Sequence, residues 1–497
     1  MIPRLALGDL RERVRRPSYA LTLLGAATLA YLAVPAADGH WTVVDAGGHR
    51  GVYDMAYVGA VVALGGALWL ALGGFYVVRG AVARDRRTGA GEVLAVTPLR
   101  SLGYLSGKFL SNLAVLLSMV AVLVGVALVM WWTRGEDTAV DPVGLVLPFL
   151  AVTVPVVVAV AAVALVFDTV PGLRGGFADV LWIPVWMAVV LGSQSSRAPF
   201  GGIGVQTLAD PFDAGMARAG IEAEGEFSLG FTRVDEPLVP VPWEGLALDG
   251  AFLTERLLIV AGALALVSVS AAWFRVRSTQ PVPRVRAGAR PGLRAARAVR
   301  PPAPRGLVWA ELRILFAGVS LWWWLGALVL GAAGLWLPLE AVRAVVLPAC
   351  WIWPVLVWAR VSTSQVGTGV EALLAAYPGP VRRQVAGWAA GVLLAVLAGA
   401  GPLVRLAAAG DTAAVAAWCA GAVFVPALAS ALGTLGRTPT LFRVLYPMLW
   451  YLAVNGIAAA DFMGTTGEGP AAVLVAAVAG VLLAVALLAG QARRLSV

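Results

Sequence analysis

Lysine is nearly missing from this chain: Lys108 stands alone against 36 arginines in 497 residues. We read that imbalance as coding bias. Histidine and cysteine are equally scarce, two of each. Cys350 and Cys419 fall in different apolar runs, which rules out a disulfide framework and leaves them as small buried apolar groups. His40 and His49 share one polar stretch with Asp38 and Asp45. They are weak candidates for a metal pair; solvated loop histidines are the simpler reading, and no metal is assigned. Charge is thin as well, 13% of residues against 60% hydrophobic, with a mean hydropathy of +0.84. That balance excludes a soluble domain of this length and implies a polytopic membrane protein.

Apolar runs of bilayer-crossing length, about 17 to 25 residues, recur throughout. We place twelve, near 18–35, 56–78, 109–132, 143–167, 178–193, 252–273, 319–338, 344–359, 387–404, 412–433, 442–460 and 470–490. With both termini cytoplasmic, the inner segments hold 29 of the 37 basic residues and 8 of the 28 acids. The outer segments hold the remaining 8 basic and 20 acidic residues. A surplus of 21 positive charges inside and 12 negative outside reproduces the net +9 and obeys the positive-inside rule. The basic pI therefore reflects topology in a bacterial plasma membrane, not binding to nucleic acid. Met1–Arg16 carries five arginines and leads into a run without a convincing cleavage site, so we expect an uncleaved first span.

The expected fold is an all-α polytopic membrane protein of twelve transmembrane helices, arranged as two parallel six-helix repeats. Residues 1–274 form the first transmembrane domain, 275–305 a basic cytoplasmic linker, and 306–497 the second domain. The linker holds nine arginines and no acid, which suits contact with anionic headgroups. Each half opens on an amphipathic segment expected at the interface, Leu5–Arg16 and Leu307–Phe316, with Asp9 and Arg11 aligned to Glu311 and Arg313. After the second span of each half comes a shared nineteen-residue pattern, 280 residues apart. Gly89, Leu94, Ala95, Pro98 and Gly107 match Gly369, Leu374, Ala375, Pro378 and Gly387. The halves differ at the outer face, where a polar stretch near 194–251 in the first half predicts a small external cap.

The loop Arg79–Lys108 is too long for a tight turn, and Ala90–Val96 can form a short helix ended by Pro98. Its residues Glu92, Leu94, Thr97-Pro98-Leu99 and Gly107-Lys108-Phe109 resemble those of ABC transporter permeases of the type-2 exporter class. In that family an interfacial helix opens each six-span domain, and the loop between spans 2 and 3 forms a coupling helix on the ATPase subunit. An outer segment with short helices separates spans 5 and 6. The resemblance implies ATPase-coupling roles for Arg84, Asp85, Arg86, Arg87, Gly89, Glu92, Leu94, Thr97 and Pro98. By the repeat it extends to Gly369, Glu371, Leu374 and Pro378, though Thr97 becomes Tyr377 and Lys108 becomes Trp388. Secondary contacts are expected near Asp168–Gly176 and Thr434–Thr438.

The resemblance further implies a permease subunit without its own ATPase site, binding no cofactor itself. Two cytoplasmic nucleotide-binding subunits would carry ATP and magnesium. The Walker-like string Gly103–Phe109 has the wrong glycine spacing and places Phe where Ser or Thr should bind magnesium. The cargo expected is hydrophobic or amphipathic, an antibiotic or other drug, a lipid or a peptide, because the spans carry few charges.

Two other classes fit parts of the sequence. A secondary transporter of the major facilitator type also has six plus six spans, and Gly80, Asp85, Arg86 and Gly89 approach its loop motif. The spacings are each one residue too long, and mid-span ionisable groups are scarce, with Arg405, Arg443 and Asp461 near span ends. A membrane glycosyl- or acyltransferase using a lipid-linked donor would use outer acids such as Asp38, Asp45, Asp54, Asp210 and Asp213. Acids gather there simply because arginine is held inside, and no paired spacing stands out. Of 19 tryptophans, most suit interfacial belts or packing. Trp351, Trp353 and Asn455 are guesses for a substrate pathway.

Overall fold

The computed structural model describes residues 2–37, 39, 41–87, 100–170, 173, 176–195, 198–218, 220, 221, 227–234, 237–243, 245–274, 304–364, 379–465, 467 and 469–495. Helices dominate. α1 (Ile2–Val14) precedes α2 (Pro17–Ala33). A long apolar helix follows, built from α3 (Met55–Trp69), a π-helical turn (Leu70–Gly74) and α4 (Phe75–Val78). The chain then turns at Gly80 into α5 (Ala81–Arg87). Beyond lie α6 (Ser101–Arg134), α7 (Pro142–Pro148), α8 (Val154–Thr169), α9 (Gly176–Gly192), α10 (Gln206–Arg218) and α11 (Gly250–Trp273).

The second half begins with α12 (Pro304–Phe316) and α13 (Leu321–Trp336). α14 (Leu339–Ala341) runs through a π turn into α15 (Leu347–Ile352), and α16 (Val355–Trp358) follows a break at Pro354. α17 (Pro380–Ala408), α18 (Thr412–Gly436), α19 (Thr440–Val454) and α20 (Ala472–Leu495) complete it.

Among the described residues, eight helices are long and apolar enough to cross a membrane. They are Met55–Asp85, Ser101–Arg134, Pro142–Thr169, Gly250–Trp273, Leu339–Trp358, Pro380–Ala408, Thr412–Gly436 and Ala472–Ala492. The four other expected spans are shorter. Pro17–Ala33, Leu181–Gly192 and Thr440–Val454 are apolar helices of 17 residues or fewer, and Leu321–Trp336 is bent by 109° against Gly306–Phe316. The chain is thus a mostly helical protein with several membrane-length apolar helices.

Four short strands amend the purely helical expectation. β1 (Trp41–Ala46) pairs antiparallel with β3 (Phe227–Arg233), and β2 (His49–Gly51) pairs parallel with β4 (Val239–Val241). The polar stretch near 194–251 therefore shares its strands with the segment between α2 and α3. Beneath them Tyr57, Phe212 and Trp243 meet edge to face and tilted, and the Trp243 indole donates to the Leu208 carbonyl at 3.3 Å. Arg50 adds a bidentate pair to Glu136 at 2.6 and 2.7 Å, which holds that carboxyl below its usual range. Aspartates at this end also start helices. Asp54, Asp141, Asp249 and Asp411 each accept a backbone N–H three residues on.

Packing pairs correspond between the halves. α1 and α2 lie on α6, and α8 lies on α11; α12 and α13 lie on α17, and α18 lies on α20. The halves join where α2 and α4 meet α19.

Candidate functional site

At the foot of the first half, α1, α5 and α6 converge on one lysine. Lys108 Nζ donates to Asp9 Oδ1 and to Asp85 Oδ1, both at 2.8 Å. Ser111 Oγ donates to the other Asp9 oxygen at 2.5 Å, and Tyr104 Oη to Asp85 at 2.8 Å. Arg13 Nε lies 3.0 Å from Asp9, while its Nη2 donates to Asn112 Oδ1 at 2.8 Å. Arg84 Nη1 lies 3.7 Å from Asp9. Lys108, Asp9, Asp85, Arg13, Ser111 and Asn112 are all buried.

Burial alone would raise the Asp9 carboxyl. Arg13 and Lys108 outweigh it and hold the group far below the usual carboxylate range. Burial, followed by repulsion from Arg84, pushes Arg13 down to about 10, so it stays cationic at neutral pH. A compact ammonium suits a site that two carboxylates approach from different helices. Gly107 lets α1 come close, because a Cβ there would meet Leu5 Cδ2 at 2.6 Å.

The cluster brackets a segment the sequence singled out. Asp85 is on the helix before residues 88–99, and Tyr104, Lys108 and Ser111 are on the helix after them. Both flanks are thereby tied to α1. The turn leaving α4 is tied too: Gly80, at φ 81°, donates its N–H to Asp168 Oδ1 at 2.9 Å, and Val82 donates to Oδ2 at 3.4 Å. A side chain at that φ would be strained.

Between the halves the seam is open at this foot and closed at the stranded end. The opening is a cleft of about 660 Å³ whose lining includes Arg13, Arg16, Arg79, Arg84 and Arg437. Further in, Gly25 faces Leu445 and Gly73 faces Val444, leaving a void of only about 30 Å³. At the far end Tyr451 of α19 packs edge-on against Trp69 and Phe231.

Arg84 and Asp85 join the cluster, and Arg86 and Arg87 complete α5. Gly89, Glu92, Leu94, Thr97, Pro98, Gly369, Glu371, Leu374 and Pro378 lie outside the described residues, as do Asp38 and His40. His49 Nδ1 is 2.9 Å from the Gly47 carbonyl, and among the described residues no three His, Cys, Asp or Glu side chains gather for a metal. Asp45 bonds the Gly48 N–H and Asp54 caps α3. Trp351 is buried among Trp358, Trp418 and Phe462, Trp353 exchanges indole-to-carbonyl bonds with Trp323, and Asn455 closes α19 on the Tyr451 carbonyl.

Arg13, Tyr104, Ser111 and Asn112 are not site candidates in the sequence; Asp9 enters there only beside Glu311, and Lys108 only as coding bias and within Gly107-Lys108-Phe109. A usable signal was present: a lone lysine retained in a chain that otherwise uses arginine. No protein-family model matches this chain, and no curated protein matches it.

Proposed function

We infer that the chain is the membrane-spanning permease of an ATP-driven exporter, two six-span halves fused in one polypeptide. Separate cytoplasmic ATPase subunits would dock on Gly89–Pro98 and Gly369–Pro378. The observation that supports this most is the buried cluster of Asp9, Asp85 and Lys108. It binds both flanks of residues 88–99 to α1, and α1 leads directly into α2 at the seam. A push delivered to that segment would move α1 and α2 together, because separating the buried charges is costly. The seam, open at the foot and closed by Tyr451 at the other end, is the place where such movement would expose cargo.

Affinity purification of the tagged chain from its native host, followed by mass spectrometry, tests the reading. A near-stoichiometric ATPase carrying Walker motifs, lost when Gly89–Pro98 is scrambled, is the expected result. A stable chain that co-purifies with no ATPase would overturn it and favour an ion-coupled transporter.

A further inference from the structure

The cleft at the foot of the seam has a chemical bias that closing and opening alone do not require. Its described lining carries five arginines and no acidic side chain. The carboxylates behind this lining hold its arginines in place: Asp9 pairs with Arg13 as well as Lys108, Glu12 pairs with Arg16, and Asp168 accepts the Gly80 and Val82 N–H groups. Arg79 is fixed in the wall, its Nη2 donating to the Leu173 carbonyl at 3.0 Å above the Phe75 and Phe167 rings. Hydroxyls of Ser18, Tyr19, Thr22, Thr438 and Thr440 complete the polar surface.

The apolar seam begins where this surface ends. Thr22 and Leu441 line both the cleft and the small void above it, which Gly25, Ala26, Leu29, Leu445 and Met448 continue. Glycines on the first half thin the contact with α19, so the seam can part without moving bulky side chains from both faces. A cationic vestibule opening directly into an apolar crevice matches a molecule with an anionic head and an apolar body.

We propose that the cleft binds the phosphate- or carboxylate-type head of an anionic amphiphile, whose apolar part enters the seam between α2 and α19. Binding stands on the cleft itself; only the role of the bound molecule as cargo rests on the exporter reading. Arg16 and Arg437 lie at the exposed rim and select the head, while Arg13, Arg79 and Arg84 form the inner wall.

The test is a titration of the purified full-length chain, without any ATPase, in nonionic detergent. Dodecyl phosphate is compared with dodecylphosphocholine and with inorganic phosphate. Dodecyl phosphate should bind at least about tenfold more tightly than either, and Arg16→Gln with Arg437→Gln should weaken it roughly tenfold. The Arg16→Lys, Arg437→Lys pair keeps the charge and should retain most of the affinity, which separates head recognition from misfolding. Gly25→Leu should weaken dodecyl phosphate and leave inorganic phosphate unchanged.

Competition by phosphatidylglycerol would identify the head as that of an anionic lipid; failure to compete would identify a free amphiphile, and either supports the site. Equal affinity for the phosphocholine, equal affinity for inorganic phosphate, or no change in the Gln pair would overturn it. ATPase co-purification is a separate readout, so loss of one result leaves the other standing.

Discussion

The two halves open alike and are held differently. In each, an amphipathic helix lies on the long helix that follows the second span: α1 on α6, α12 on α17. In the first half that contact is a buried network of two carboxylates, one ammonium and the Arg13 guanidinium. In the second, among the described residues, it is the pair of Glu311 and Arg383 at 2.9 Å, aided by Arg360, which donates to the Leu315 and Ala317 carbonyls at 3.1 and 2.7 Å. Indole N–H groups do much of the remaining polar work there, with Trp358, Trp388 and Trp450 bonding the Gly391, Val423 and Pro348 carbonyls. One scaffold thus carries a stiff charged joint in one half and largely dry packing in the other.

The strongest break in this comparison is Lys108→Met. It leaves two carboxylates buried without their shared cation, and about 3–5 kcal/mol of stability should be lost. Arg383→Met removes one bond from a pair whose side chains are 15% and 11% exposed, and should cost less, about 1.5–3 kcal/mol. Thermal unfolding of the two variants in the same detergent checks the difference; equal losses would erase the distinction between the joints.

The next contrast is functional. Charge reversal at Arg84, Arg86 and Arg87 should reduce ATPase co-purification more than changes at Ser362–Gln365, and equal effects would refute unequal docking. A smaller effect separates Gly107 from Gly387. Gly107→Leu must displace Leu5 and should cost about 1–3 kcal/mol. At Gly387 nothing lies within 4 Å of the added Cβ, so Gly387→Leu should be neutral or stabilise by up to about 1 kcal/mol.

The smallest effect is the pH response of the first joint. The Asp9 carboxyl is depressed in the fold, so its contribution is complete above the unfolded value, about 3.9, and fades as pH falls below it. A fluorophore on Gly8→Cys, in a chain lacking its two native cysteines, should report α1 docked from pH 7 to pH 5. Release of α1 within that interval would contradict the depressed carboxyl.

Several features were legible because they are local. Apolar run length located the long helices, and α6 exceeds its run only because Ser101–Lys108, more polar, is covered by α1 and α5. The two opening segments were legible as helices as well. The strands were not. Phe227–Arg233 alternates Phe, Leu and Phe with Ser, Gly and Thr, but its partner Trp41–Ala46 does not alternate and lies far along the chain, so the pairing itself was not announced. Acids read as a by-product of topology also proved to cap helices at Asp54, Asp141, Asp249 and Asp411.

Composition and hydropathy by themselves determined that this is a mostly helical protein with several membrane-length apolar helices, because partitioning acts on each segment separately. Tertiary structure alone decided that its only lysine joins three helices, that the arginines of α1, α4–α5 and α18 converge on one cleft, and that the seam closes at one end only. Those are relations between segments separated by tens to hundreds of residues. They arise where burial forces charges to find partners and where two surfaces must fit, which no single stretch of sequence encodes.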